Sequence, residues 1–163
     1  DYRLILAPGM MHMPADLKAS LEQSDAEVLY GPRSGARDDH FNIPIDPLPP
    51  ALVGLDVTVS RVESLRPDMP VALTNGGAVH RYLEALEGDA EVILVTAQGA
   101  PVAMRMGRQT YCGGWLDADG LDQLITIIGT AAGLALRKMP EGVRTRRTAD
   151  FLNAFEFGRL ALT

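Results

Sequence analysis

The chain opens with two short apolar runs set one helix apart, and this pairing constrains its fold more than any other feature. Arg3 to Ala7 reads R-L-I-L-A and is closed by Pro8-Gly9, while Ala26 to Tyr30 reads A-E-V-L-Y and is stopped by Gly31-Pro32. Uninterrupted apolar runs of this length, bounded by turn residues, are the pattern of strands buried on both faces. Between them Pro14 suits the first turn of a helix, and Leu17 and Leu21 lie four apart on one helical face. A strand–helix–strand unit is a crossover, so the two strands are predicted to be parallel and covered by helices.

Gly31 to Pro50 is a long irregular stretch that holds five of the eleven prolines and the acidic pair Asp38-Asp39. Loops this long within a compact domain are functional or mobile as a rule. Pro49 to Gly54 reads as a short helical turn, and Val57, Val59 and Val62 as a strand with a slip in its alternation. Val71 to Thr74 is strand-like. Val79, Leu83 and Leu86 fit a helical face, whereas Tyr82 and the neighbouring strands favour extended chain, so the pattern leaves 79–86 open. Glu91 to Ala97 is the strongest strand. The turns at Gln98 to Pro101 and at Gly107-Arg108 join it to Val102–Met106 and Gln109–Gly113 as an antiparallel meander.

Asp117 suits the cap of a helix from about Asp119 to Arg137, whose apolar positions predict burial of Leu121, Leu124, Ile125 and Ile128. Met139-Pro140-Glu141-Gly142 is expected to end that helix. Val143 to Thr148 and Phe151 to Phe157 then read as a β-hairpin. The expected fold is a three-layer α/β domain over residues 1–140, a mostly parallel sheet flanked by helices with the antiparallel meander attached. Residues 141–163 are expected to begin a small C-terminal β-domain.

Charge narrows the partners. Against 21 Asp and Glu there are 15 Lys and Arg, a formal net charge of −6. The densest basic stretch, Arg144 to Arg147, alternates like a solvated strand face, so neither nucleic acid nor a membrane is an expected partner. No apolar run approaches the ~18 residues that a membrane helix needs. Cys112 is the single cysteine, so no intrachain disulfide forms, which fits an intracellular home without fixing it; the cytoplasm is the expected compartment. The chain starts at Asp1 directly before an apolar run and closes on Gly158 to Thr163, the look of a segment of a longer protein.

No complete active site is legible. Cys112 lies at the end of a meander strand in T-Y-C-G-G and lacks the strand-to-helix turn and nearby base of a catalytic thiol, so it is read as a buried structural cysteine. His12, His40 and His80 are scattered outside any metal-ligand spacing, and Asp38-Asp39-His40 reads as a solvated loop. Neither a metal nor an organic cofactor is therefore expected. Ser34 sits outside a Gly-x-Ser-x-Gly elbow and reads as a turn-former. Arg33 follows the second strand, at the end where open α/β sheets hold ligands, and would reach a polar ligand or a neighbouring chain. Asn75-Gly76-Gly77 is a turn without the spacing of a phosphate loop.

Taken in order, several segments resemble the middle, trimerisation domain of glycoside hydrolase family 42 β-galactosidases. They include Tyr2-Arg3-Leu4-Ile5-Leu6-Ala7-Pro8, the strand running into Pro32-Arg33-Ser34-Gly35, and Leu48 to Val57. They continue with Glu63-Ser64-Leu65 and Ala90 to Leu124, where Tyr111 precedes Trp115-Leu116-Asp117 at a helix start. The tail from Gly142 through Phe155 is similar to the entry into that family's small C-terminal β-domain. Gln23-Ser24-Asp25 stands where the family usually carries a glycine pair, and the middle of the chain is shorter than usual.

The resemblance implies a fold of the class I glutamine amidotransferase or flavodoxin-like kind, without the Cys-His-Glu set of such an enzyme. It also implies a parent enzyme that cleaves terminal β-galactosides with retention, through two glutamates in a preceding barrel that this sequence does not contain. No catalytic residue carries over. What remains is a homotrimer contact and a wall of the galactoside pocket. The alternative is a stand-alone amidotransferase-like domain that binds a small molecule without catalysis.

Candidate contact or pocket-wall residues are Met10, Met11 and Met13 after the first strand, and Arg33, Ser34 and Phe41 after the second. Methionine adapts to contact surfaces and also fills cores, so these three positions fit either role.

Overall fold

The computed structural model describes residues 2–43, 52, 54–139, 143–147 and 152–156. Strand β1 (Leu4–Ala7), helix α1 (Ala15–Glu22) and strand β2 (Glu27–Tyr30) form the predicted crossover, with β1 and β2 parallel and Leu4 opposite Glu27. All four residues of β2 are buried, because it is an inner strand with side chains packed on both faces. Strands β3 (Thr58–Ser64), β4 (Val71–Ala72) and β5 (Ala78–Glu87) follow. Then come β6 (Glu91–Val95), β7 (Pro101–Met106), β8 (Gln109–Cys112), β9 (Gly114–Leu116) and helix α2 (Ala118–Ala131).

The central sheet has the order β1-β2-β8-β7-β6. The expected meander is its second half: β6, β7 and β8 are antiparallel in turn, and β8 then lies parallel to β2. The expectation of a mostly parallel sheet is corrected here, since only the β1–β2 and β2–β8 pairs are parallel. A second sheet, in which β5 pairs with β3, β4 and β9, is wholly antiparallel. The domain is thus mixed α/β, with these two sheets and two helices among the described residues. A separate hairpin pairs β10 (Val143–Arg147) with β11 (Leu152–Glu156), as the sequence predicts.

Residues 79–86 belong to the ten-residue strand β5. The helical spacing of their apolar residues has a local cause. Arg81 sits at φ 63°, and the buried side chains shift from Val79 before it to Tyr82, Glu84 and Leu86 after it. A kink in a strand imitates a period of three to four. The slip expected near Val59 is present as a register shift between Val59 and Arg61. The turn expected at Pro49 to Gly54 lies mostly outside the described residues.

Gly113 and Gly114 carry the chain from one sheet to the other. A Cβ at Gly113 would stand 2.9 Å from Leu86 and 3.0 Å from Glu84, and one at Gly114 would stand 2.9 Å from Val79. Only glycine lets the two backbones pass this closely, and the Gly113 carbonyl accepts the Glu84 N–H at 2.8 Å.

Helix α2 starts as predicted, with the Asp117 side chain accepting the Gly120 N–H at 2.8 Å. It ends earlier than expected. Gly133 adopts φ 64°, its N–H reaches the Thr130 carbonyl, and the Leu134 N–H reaches Gly129, which closes the helix at Ala131, short of the expected Arg137. Leu124 and Ile128 are buried and Ile125 packs partly against the core. Leu121 is a correction: it is 47% exposed, because α2 lies over β2, β6 and the second sheet and leaves the β1 side open.

The central sheet thereby separates two apolar clusters. Met13, Leu21, Val28, Tyr30, Met104 and Tyr111 meet on the α1 side, and Leu29, Leu94, Val102, Cys112, Leu124 and Ile128 meet on the α2 side. Each fully buried aliphatic side chain contributes roughly 1.5–3 kcal/mol.

Candidate functional site

The loops that leave the C-terminal ends of β1 and β2 are zipped together. The Gly35 N–H donates to the Met10 carbonyl and the Arg37 N–H to Met11, each at 2.9 Å, in a short parallel bridge between His12 and Arg37. The His12 ring meets Asp39 Oδ1 at 2.9 Å and lies 6.1 Å from the Phe41 ring. The loops are therefore a single structural unit, as their shared sheet edge predicts.

Ser34 ties this unit to the strands. Its Oγ donates to the Gly31 carbonyl at 2.7 Å, with Ala7 at 3.3 Å, and the residue has no exposed surface. It is the turn-former of the sequence expectation. The methionines divide: Met13 is buried, Met10 packs partly against the same core, and Met11 lines a cavity of about 260 Å³.

Beyond them an Asp38 turn presents Phe41. The Asp38 carboxylate accepts the N–H groups of Asn42 at 2.8 Å and His40 at 2.9 Å, and the Asn42 side chain at 3.3 Å. The Asn42 N–H, above the other contacts, holds this carboxyl below the usual carboxylate range. Phe41, at φ 64°, is 61% exposed, and Ile43 beside it is 66% exposed.

Arg33 marks the cavity mouth. It takes φ 65°, a conformation that costs a non-glycine residue free energy, and its guanidinium lies 4.3 Å over the Tyr82 ring. Its backbone N–H donates to Glu84 Oε1 at 3.1 Å. The same oxygen accepts the Tyr82 hydroxyl at 2.8 Å, and Oε2 accepts the Tyr111 hydroxyl at 2.8 Å. Glu84 is only 3% exposed. Burial raises its carboxyl above the ordinary value, against the pull of both hydroxyls and of Arg33. Burial likewise pushes the Tyr111 phenol far up, with the Glu84 charge adding to it.

Sequence reasoning missed Glu84 altogether. The signal is present once 79–86 is extended chain, since alternation then puts Glu84 on one face with Tyr82 and Leu86. As helix, the same stretch hides that grouping.

The remaining candidates fall apart. Cys112 lies on the other side of the sheet, its thiol directed at the Gly114 carbonyl at 3.4 Å and pushed by burial up to about 11, which suits an inert structural cysteine. His80 stands 3.9 Å from Asp117 at the start of α2. Glu84 is thus engaged by three donors and the Ser34 hydroxyl by the Gly31 carbonyl, so the cluster is a hydrogen-bonded support for the loop that carries Arg33.

The family model of the β-galactosidase trimerisation domain matches residues 1–135. The chain belongs to that family. The trimerisation domain is 29% identical over 164 residues to a β-galactosidase of Thermus thermophilus, which covers 96% of this chain and 25% of that protein. It is 32% identical over 162 residues to β-galactosidase BgaA of a Thermus species, with the same coverage. The crystal structure of β-galactosidase from the psychrophilic Marinomonas ef1 superposes with a TM-score of 0.87 at 29% identity, over 95% of this chain and 24% of that one. The chain thus spans about a quarter of the length of the curated relatives it matches. A free-standing small-molecule binding domain is not favoured by this match. Among the described residues, no helix is long and apolar enough to cross a membrane.

Proposed function

We propose that the parent of this trimerisation domain is a cytoplasmic β-galactosidase that hydrolyses terminal β-D-galactosides with retention. In this proposal the domain joins three copies and walls the sugar pocket through the loops after β1 and β2, with Met10, Met11, Met13, Arg33, Ser34 and Phe41 as its contact or supporting residues. The two carboxylates of a retaining mechanism lie in a part of the parent outside this chain. Residues 1–140 form the assembly domain, related in fold to class I glutamine amidotransferases, and residues 141–163 open a small β-domain.

The observation that carries the assignment of the loops is their rigidity. Arg33 and Phe41 both hold left-handed backbone conformations and present exposed side chains, one fixed on Glu84 and the other on the Asp38 turn. Strained non-glycine positions persist where the surroundings over-determine them, and they concentrate at functional surfaces.

The test is the sedimentation mass of the full-length protein, alone and with Met11→Asp and Phe41→Asp. The expected result is a trimer that weakens in both variants. A trimer indifferent to both removes the loops from the contact, and an active monomer removes the assembly role. The 163-residue chain alone is expected to show no turnover of a chromogenic β-galactoside.

A further inference from the structure

The uncovered side of α2 forms a groove of about 390 Å³ at the C-terminal ends of β1 and β2. Its lining is almost wholly apolar and includes Leu6, Leu29, Leu116, Leu121, Leu124 and Ile125. Leu6 is 53% exposed and Leu121 47%, side chains of a size and chemistry that ordinarily find cover. The groove has a cause in the fold: α2 packs over β2, β6 and the second sheet, so the α2-facing side of the edge strand β1 lacks a helix. Its rim is Pro8, Gly31 and Pro32, the residues from which the two zipped loops depart, so groove and loops are continuous on one edge of the sheet.

We propose that the Phe41–Ile43 projection of one copy seats in this groove of the next copy. The inference rests on the threefold assembly proposed above and supplies its two halves. Three identical copies closed into a ring by one repeated contact must each present two different, complementary patches, because a self-complementary patch makes pairs. The groove is concave, apolar and open. Phe41 and Ile43 are apolar side chains two residues apart, both exposed on the same chain and hence not seated in its own groove. The Asp38 turn holds the projection in shape, so little conformational entropy is lost on docking. An aromatic anchor entering a dry pocket is the usual energetic centre of a protein contact, while the surrounding surface supplies the rest of the area. A second copy is favoured over another part of the parent because self-association is the defining property of the matched family.

The test uses the full-length protein, in a background whose other exposed cysteines are serine; Cys112 is buried and stays in place. Copies carrying Phe41→Cys are co-expressed with copies carrying Leu121→Cys and oxidised gently. The expected product is a disulfide-linked pair that neither variant forms alone, and Leu121→Asp is expected to raise the concentration for half-assembly roughly tenfold or more. A trimer that yields no mixed disulfide overturns this contact and leaves the threefold assembly standing. Leu121→Cys shielded from alkylation in a trimer without that disulfide gives the groove to another part of the parent chain, which also overturns it. Disulfides between two Phe41→Cys copies place the projections against each other and overturn it as well. A full-length monomer overturns both the contact and the assembly.

Discussion

The two sides of the central sheet are built on different physics. On the α1 side, the apolar cluster runs up to a buried carboxylate, and Glu84 joins β5, β8 and the β2 loop through Tyr82, Tyr111 and the Arg33 N–H. On the α2 side the interior is aliphatic, and it thins out into an uncovered groove beside Leu6 and Leu121. The difference is informative. A buried charge demands particular partners at particular distances, so it fixes the geometry of one loop. Aliphatic surface demands only cover, which a second chain can supply as well as the first.

The largest expected effect lies on the aliphatic side. Leu124→Ala removes a side chain that is 1% exposed at the centre of α2's contact, and is expected to cost roughly 2–5 kcal/mol in urea unfolding. A loss under about 1 kcal/mol would show that this side yields to fill the cavity, and that the groove extends further beneath α2.

Next comes the carboxylate itself. Glu84→Ala leaves two tyrosine hydroxyls and the Arg33 N–H without their acceptor, at about 1–3 kcal/mol for a group that finds no other partner. Because the cost falls on the loop, amide exchange at Arg33 to Arg37 is expected to quicken more than exchange in α2. Equal acceleration in both places would break the distinction between the two sides.

The pH dependence sharpens it. Burial raises Glu84 above its ordinary 4.5, so the folded protein binds this proton more tightly than the unfolded chain does. The stability from this group is therefore fully present below the unfolded value and is lost as pH rises through the folded one. Asp117 has the opposite sign: the Gly120 N–H holds it low, and its contribution is lost as pH falls through that depressed value. Urea midpoints of the wild type and of Glu84→Gln are expected to diverge across the window above the ordinary carboxylate range. Parallel curves there would mean that Glu84 titrates like a solvated carboxylate. The smallest effect is at the helix cap: Asp117→Ala is expected to cost about 1 kcal/mol, without changing exchange in the β2 loop.

The sequence alone determined the elements whose signals are local. The apolar runs closed by Pro8-Gly9 and Gly31-Pro32 specify the parallel crossover, glycine turns specify the meander, and Asp117 specifies where α2 begins. The turn role of Ser34 and the burial of Cys112 were legible for the same reason, since each follows from its immediate neighbours. The second sheet, the Glu84 cluster, the burial of Met13 and the exposure of Leu121 were settled only by tertiary structure. Each depends on what packs against a residue from far along the chain. The kink at Arg81 left the pattern of a strand open to a helical reading, and the position of α2 over the sheet, which no periodicity along the helix encodes, left one flank of its apolar stripe in solvent.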